Sequence, residues 1–153
     1  MEIGGNAKGV GGRLSNFTAR SFIFYGVQCA SMEGLLQSFK FDKEHIQVEV
    51  CNLVGIAAKR RGQKRNKAWK QKQTLWWKDV SYPRKSTEYR ILVAKAFIAL
   101  SKNEKFKTDL LSTNDAVFTH RIGKRKEADT VLPEREFCRL LTNLRRTLKE
   151  NEK

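Results

Sequence analysis

A mainly helical α+β domain with a small β component is the fold class this sequence predicts, and three observations lead there. Apolar residues recur at helical spacing in the segments 31–41, 87–100 and 133–148. A short aromatic stretch, SFIFYGVQCA at 21–30, surrounds a single glycine and reads most simply as a hairpin or two strands. At 153 residues one domain can bury roughly two-thirds of the surface its unfolded chain exposes, so neither disulfide nor metal staple is required. No internal repeat is visible.

The elements follow in order. Residues 1–12 are expected to form a flexible, glycine-rich N-terminus; it is no P-loop, since no Gly-Lys-Ser/Thr follows. The domain proper is placed at 13–148. After the hairpin, Ser31 is an N-cap, and Met32, Leu35, Leu36 and Phe39 form the buried stripe of a helix. A second helix is expected over Val48–Ala58, with Cys51, Val54 and Ala58 inward, then a basic loop at 59–72. LWWKDVSYPRKSTEY is expected to be irregular around Pro83, and Ser86 to cap a helix over Thr87–Leu100, apolar almost all round and so central. A shorter helix at Glu104–Ser112 presents Phe106, Leu110 and Leu111. Within 113–131 a strand precedes an exposed turn at Gly123. Pro133 opens the last helix, where Glu134 and Glu136 complement the dipole and Phe137, Leu140, Leu141, Leu144 and Leu148 make the stripe.

Charge is the loudest compositional signal: 31 Lys+Arg against 16 Asp+Glu give +15 at pH 7. The run KRRGQKRNKAWKQK, Lys59 to Lys72, holds eight basic residues and no acid, and without it the net charge would be +7. It is either a solvated loop or a nucleic-acid contact in which Lys64, Arg65 and Lys67 meet phosphates and Trp69 stacks on a base. Cys29, Cys51 and Cys138 are odd in number and widely spaced, which suits reduced, buried thiols in a cytoplasmic protein. The opening MEIGGNAKG has no secretion-signal pattern, and no stretch is long and apolar enough to span a bilayer. The Cys and His spacing favours no metal site, and no cofactor motif or serine- or cysteine-hydrolase signature occurs.

Glu33, Gln37 and Lys40 recur at i, i+4, i+7 and so share a helix face distinct from the apolar stripe. An acid, an amide and an amine on one rigid face can grip a sugar phosphate, the acid activating water. Glu33 has a second reading: a carboxylate in the first turn is stabilised by the helix dipole by roughly 0.3–1 kcal/mol without any site. Trp76 and Trp77, adjacent, face opposite ways on a strand, so Trp77 either packs in the core or stacks on a base. His120 and Arg121 ahead of Gly123 are either a phosphate or ribose contact or a surface pair.

Ser31-x-Glu33-x-x-x-Gln37-x-x-Lys40-Phe41, preceded by Ser15-Asn16-Phe17 and followed by Ala58-Lys59-x-x-Gly62, resembles the NADAR (YbiA-like) family. EYRILVAKAFIAL, LLST, THRIGK, TVLPEREF and LTNLR resemble a subgroup of it, so the likeness runs from Arg13 to Arg146. Gly34 stands where many members have histidine, and Thr18 where an aromatic is common. The resemblance implies a single YbiA-like domain with N-glycosidase chemistry, removing ADP-ribose from guanine in nucleic acid or a related nucleotide. It implies functional pairing with an ADP-ribosyltransferase. Glu33 is implied to be catalytic, with Lys8, by approximate position, an amine nucleophile. Substrate-binding residues would be Ser15, Asn16, Phe17, Gln37, Lys40, Lys59, Trp77, His120 and Arg121. The alternatives are a hydrolase of ribosylamino intermediates in riboflavin synthesis and a non-catalytic binder of ADP-ribose or nucleic acid.

Overall fold

In the computed structural model, which describes residues 1–152, the N-terminal segment is built into the domain rather than flexible. Glu2 bridges Thr119 in parallel, Ile3 N donates to Thr119 O at 2.7 Å, and the Ile3 side chain is fully buried. The glycines serve close packing: a Cβ on Gly11 or Gly12 would meet the carbonyl oxygen of Glu2 at 2.1 Å or of Ala7 at 2.2 Å. The short helix α1 (Val10–Arg13) follows.

Strands β1 (Phe22–Phe24) and β2 (Val27–Cys29) pair antiparallel across Tyr25 and Gly26, both at positive φ, as a two-residue turn between right-twisted strands requires. In α2 (Met32–Ser38) the Ser31 hydroxyl accepts from Gly34 N at 3.0 Å, and the expected stripe is buried. The second helix is two: α3 (Glu44–Cys51) and α4 (Gly55–Gln63). They break apart because Gly55 takes φ 58°, through which a right-handed helix cannot continue.

The basic run is helical as well, which corrects the expected loop. Most of it lies in α4 and in α5 (Asn66–Lys72), because Lys and Arg are good helix formers and Ala58, Gly62 and Trp69 supply buried positions. Nor is the next segment irregular. Strands β3 (Thr74–Trp77) and β4 (Val80–Pro83) form a second hairpin, with Pro83 at its end.

Helix α6 (Thr87–Leu100), capped by Ser86, packs on β1, β4, α2 and α8 (Glu134–Asn151), while α7 (Glu104–Leu111) packs on α8 and α1. The strand expected within 113–131 reduces to the single bridge at Thr119, and a 3-10 turn at Glu127–Asp129 interrupts an otherwise irregular segment. Phe39, Trp77, Tyr89, Phe97 and Phe137 occupy the core that joins these layers. Cys29 and Cys51 are buried and Cys138 only half-buried; all three are free thiols. Among the described residues no helix is long and apolar enough to cross a membrane.

Candidate active site

The face of α2 opposite its stripe forms the floor of a cavity of about 570 Å³. Glu33, Gln37 and Lys40 all line it, as the i, i+4, i+7 spacing predicts. Gln37 Nε2 donates to Glu33 Oε1 at 2.8 Å. Lys40 is 5 % exposed and its Nζ donates to Asn66 Oδ1 at 2.6 Å. The same oxygen accepts from Trp69 Nε1 at 3.2 Å. Trp69 is fully buried, so it cannot stack on a base, and that expectation is corrected: its indole orients the amide that holds Lys40.

Burial sets the protonation of this floor. Desolvation raises the Glu33 carboxyl above the ordinary carboxylate range, against the opposing pull of the Gln37 hydrogen bond and of Lys40, Lys59 and His120. Desolvation likewise lowers the Lys40 ammonium to about 8; the nearby Glu33 charge resists this, and Lys70, Lys124 and Lys59 add to it. Both groups are therefore brought toward the range in which proton transfer at neutral pH is efficient.

Two other segments complete the enclosure. The Ser15-Asn16-Phe17 turn is fastened to α2 by Glu33 N donating to Asn16 O at 3.0 Å, and Ser15 Oγ is spent on Phe17 N at 3.1 Å. The far wall is the irregular chain from His120 to Leu132. His120 Nδ1 lies 2.6 Å from Ile3 O, and since a carbonyl only accepts, Nδ1 carries the proton. The wall hangs from three side chains by its own carbonyls. Gln73 Nε2 donates to Ala128 O at 3.1 Å, Arg84 Nε to Thr130 O at 2.7 Å, and Tyr89 Oη to Val131 O at 2.7 Å. Arg84 and Tyr89 are both buried, with the guanidinium over the Tyr89 ring.

Several expected site residues lie elsewhere. Lys8 is exposed and does not line the cavity, so it lacks the desolvation an amine nucleophile needs. Trp77 is buried against Phe24 and Phe39, the core-packing reading of the pair. Arg121 is exposed and outside the cavity; its backbone N–H donates to Glu2 Oε2. Arg65 donates through Nε to Lys40 O at 3.2 Å and lies over the Phe41 ring, so it braces the end of α2. Lys64 and Lys67 are exposed, and Lys59 reaches the cavity rim. Sequence reasoning missed Asn66, Asn6, Lys124, Asp129 and Leu132, all of which line the cavity. Asn66 left one signal: it is among the few uncharged polar residues in the basic run.

A larger groove of about 840 Å³ runs past the start of α8, lined by Arg90, Arg125, Arg135 and Arg139. Its charge is offset by ion pairs of Arg90 with Glu127 at 2.8 Å and Arg125 with Glu134 at 3.2 Å, and it is not joined to the Glu33 floor.

Comparison with known proteins agrees with this architecture. Residues 9–146 match the family described as Bacteriophage protein GP30.3. A 17.1 kDa protein of the Gp30–rIII intergenic region of Enterobacteria phage T4 is 32% identical over 151 residues, covering 97% of this chain and 98% of its own. The NMR structure of the E. coli protein YbiA aligns with a TM-score of 0.64 at 19% identity, over 99% of this chain and 87% of that one. The chain thus belongs to the bacteriophage protein GP30.3 family, with a NADAR-like motif pattern and the YbiA-like fold.

Proposed function

We propose that the protein is an N-glycosidase that cleaves a base–ribose C–N bond, acting on ADP-ribosylated guanine in nucleic acid or a related nucleotide. The observation that carries this reading is a carboxyl, Glu33, raised by burial on the floor of a cavity, with an amide and a buried ammonium on the same helix face. As the C1–N bond breaks, its electron pair leaves with the base and positive charge grows on the anomeric carbon, where ionised Glu33 stabilises it. Water then adds its oxygen to C1 and gives a proton to Glu33, which passes it to the departing base nitrogen. Lys40, held by Asn66, with Lys59 and Lys124 at the rim, faces phosphate. The acid-free basic surface of α4 and α5 favours a polymeric substrate over a small monophosphate. Incubation with DNA carrying ADP-ribosylguanine should release ADP-ribose. Preferential turnover of ribosylamino monophosphates would point to the riboflavin-type reaction, and tight binding without turnover of any glycoside to a binding module.

Two predictions follow from the floor. The pH profile of kcat/KM should be a bell. It rises as Glu33 loses its proton, above the ordinary carboxylate range, and falls as Lys40 loses its own near 8. A flat profile across this range would exclude both roles. Secondly, Gly62 has no room for a side chain: a Cβ there would stand 1.7 Å from Gln37 Oε1 and 2.6 Å from its Cδ. Gly62→Ala should therefore rotate the Gln37 amide away from Glu33, lowering turnover roughly 10- to 100-fold, as loss of a hydrogen bond to a charged group does. The mutant should still fold, since every close atom belongs to the Gln37 side chain, with its Cβ at 3.1 Å needing to give only slightly; wild-type turnover would show that the Gln37 contact is dispensable.

A further inference from the structure

The groove past the start of α8 gathers four guanidinium groups from three segments: Arg90 on α6, Arg125 in the hanging wall, and Arg135 and Arg139 on α8. Three glutamates share it. Two of them are already committed, since Glu127 pairs with Arg90 at 2.8 Å and Glu134 with Arg125 at 3.2 Å. The third, Glu136, is half-buried. Burial raises its carboxyl above the ordinary carboxylate range, against the pull of Arg84, Arg90 and Arg139, and Glu127 adds to the rise. Arg135 and Arg139 remain: both are exposed, and neither makes an ion pair among the described residues. A fifth guanidinium acts from within the fold. Arg84 is 1 % exposed and is the foremost charge acting on the Glu136 carboxyl, yet its Nη1 and Nη2 are buried without a hydrogen-bond partner among the described residues. Buried cations are ordinarily paired. The charge of Arg84, uncompensated by contact, adds to the positive field in the groove that Glu136 lines.

The groove and the Glu33 cavity share one wall. Within the same ribbon, Lys124 and Asp129 line the cavity, whereas Arg125 and Glu127 line the groove. A strand that leaves the cavity over this ribbon meets the arginines next. Positions i and i+4 of a helix stand about 5–6 Å apart at Cβ, so Arg135 and Arg139 present two planar forks in series, which suits a repeating phosphate better than a single anion. Pro133 and Leu140 are the only apolar residues among the described lining, too few for the core of a protein interface. We propose that the groove is a second nucleic-acid contact, in which Arg135 and Arg139 take successive phosphates of the strand flanking the nucleotide in the Glu33 cavity. It rests on the glycosidase reading for where that strand starts. DNA and RNA offer the same phosphodiester, so the test carries both.

The test measures fluorescence anisotropy of labelled 20-nucleotide oligothymidylate and oligouridylate, neither of them ADP-ribosylated, with the full chain over a range of salt. Removing both forks in Arg135→Ala/Arg139→Ala should weaken binding roughly 2- to 30-fold, the range for two exposed ion pairs, and flatten the salt slope by about 1.4. The oligomer that loses more affinity identifies the source. Lys102→Ala/Lys105→Ala removes the same charge from exposed positions that line neither cavity, and should bind as wild type does. Unchanged affinity and slope in the arginine variant, or an equal loss in the lysine variant, overturns the groove site. So does displacement of the oligomers by polyglutamate at equal charge concentration, which would make the groove a seat for acidic protein. Cleavage keeps the two readings apart. In the arginine variant, KM should rise for an ADP-ribosylated oligonucleotide and stay level for an ADP-ribosylated mononucleotide; equal KM values for both, with cleavage intact, overturn the groove and leave the glycosidase standing. Weakened oligomer binding in the arginine variant with no cleavage of any glycoside supports the groove and sinks the reaction instead.

Discussion

Glu33→Gln is expected to lower glycoside cleavage roughly 10²- to 10⁴-fold, the range for loss of a positioned general acid–base, with substrate affinity close to wild type. The substitution preserves shape, and the new amide oxygen can still accept from Gln37 Nε2 as Glu33 Oε1 does. What it removes is the negative charge facing C1 and the acceptor for the water proton. Thermal stability separates this role from the helix-dipole reading. Because burial raises the folded carboxyl, the folded chain holds that proton more tightly than the unfolded chain, so ionised Glu33 opposes folding once the pH exceeds its unfolded value. Glutamine relieves that penalty, and Tm near neutrality should hold or rise. If Glu33 served mainly to complement the N-terminus of α2, Tm should fall and turnover persist; that pair of results would end its catalytic assignment.

Gly34→Ala should give the largest loss of stability of any single added methyl group near the site. A Cβ at Gly34 would lie 2.6 Å from Leu53 O, 2.8 Å from Val50 O and 3.0 Å from Cys51 O. Those carbonyls are not free to retreat. Leu53 O accepts from Ser31 Oγ at 2.8 Å, Cys51 O from Ala30 N at 2.9 Å, and Val50 O from Leu53 N at 3.0 Å. Overpacking of this kind costs about 3 kcal/mol at the upper end of its usual range, and alanine recovers only about 1 kcal/mol through helix propensity. The net of about 2 kcal/mol corresponds to a Tm lowered by about 4–8 °C for a chain of this size. A Tm equal to or above wild type would mean that α2 and α3 can separate freely. The contact also accounts for the glycine: here the backbone of one helix rests on the end of another.

Local spacing predicted the elements and faces that depend on neighbours in sequence. The α2 floor, the caps at Ser31 and Ser86 and the stripe of α8 follow from intervals of three and four residues, and all are present. What stayed hidden depends on partners far along the chain. The twelve residues of the glycine-rich N-terminus could not announce that Ile3 would be buried beside Thr119, far along the chain. Charge density concealed Trp69, because a run of cations looks solvated whether or not one aromatic turns inward. Asn66 acquires its place only when α5 brings it to Lys40, across 26 residues. Arg84 shows no local pattern, and its importance lies in where Thr130 happens to pass.

The suspended wall has a consequence for how this scaffold can diverge. Gln73, Arg84 and Tyr89 grasp the peptide groups of Ala128, Thr130 and Val131, never their side chains. At its exposed positions the ribbon's path is thereby uncoupled from its lettering. Lys124 and Asp129, exposed on the cavity, can be exchanged for other residues while the ribbon keeps its course, so the lining can drift, or be engineered, without rebuilding the framework behind it.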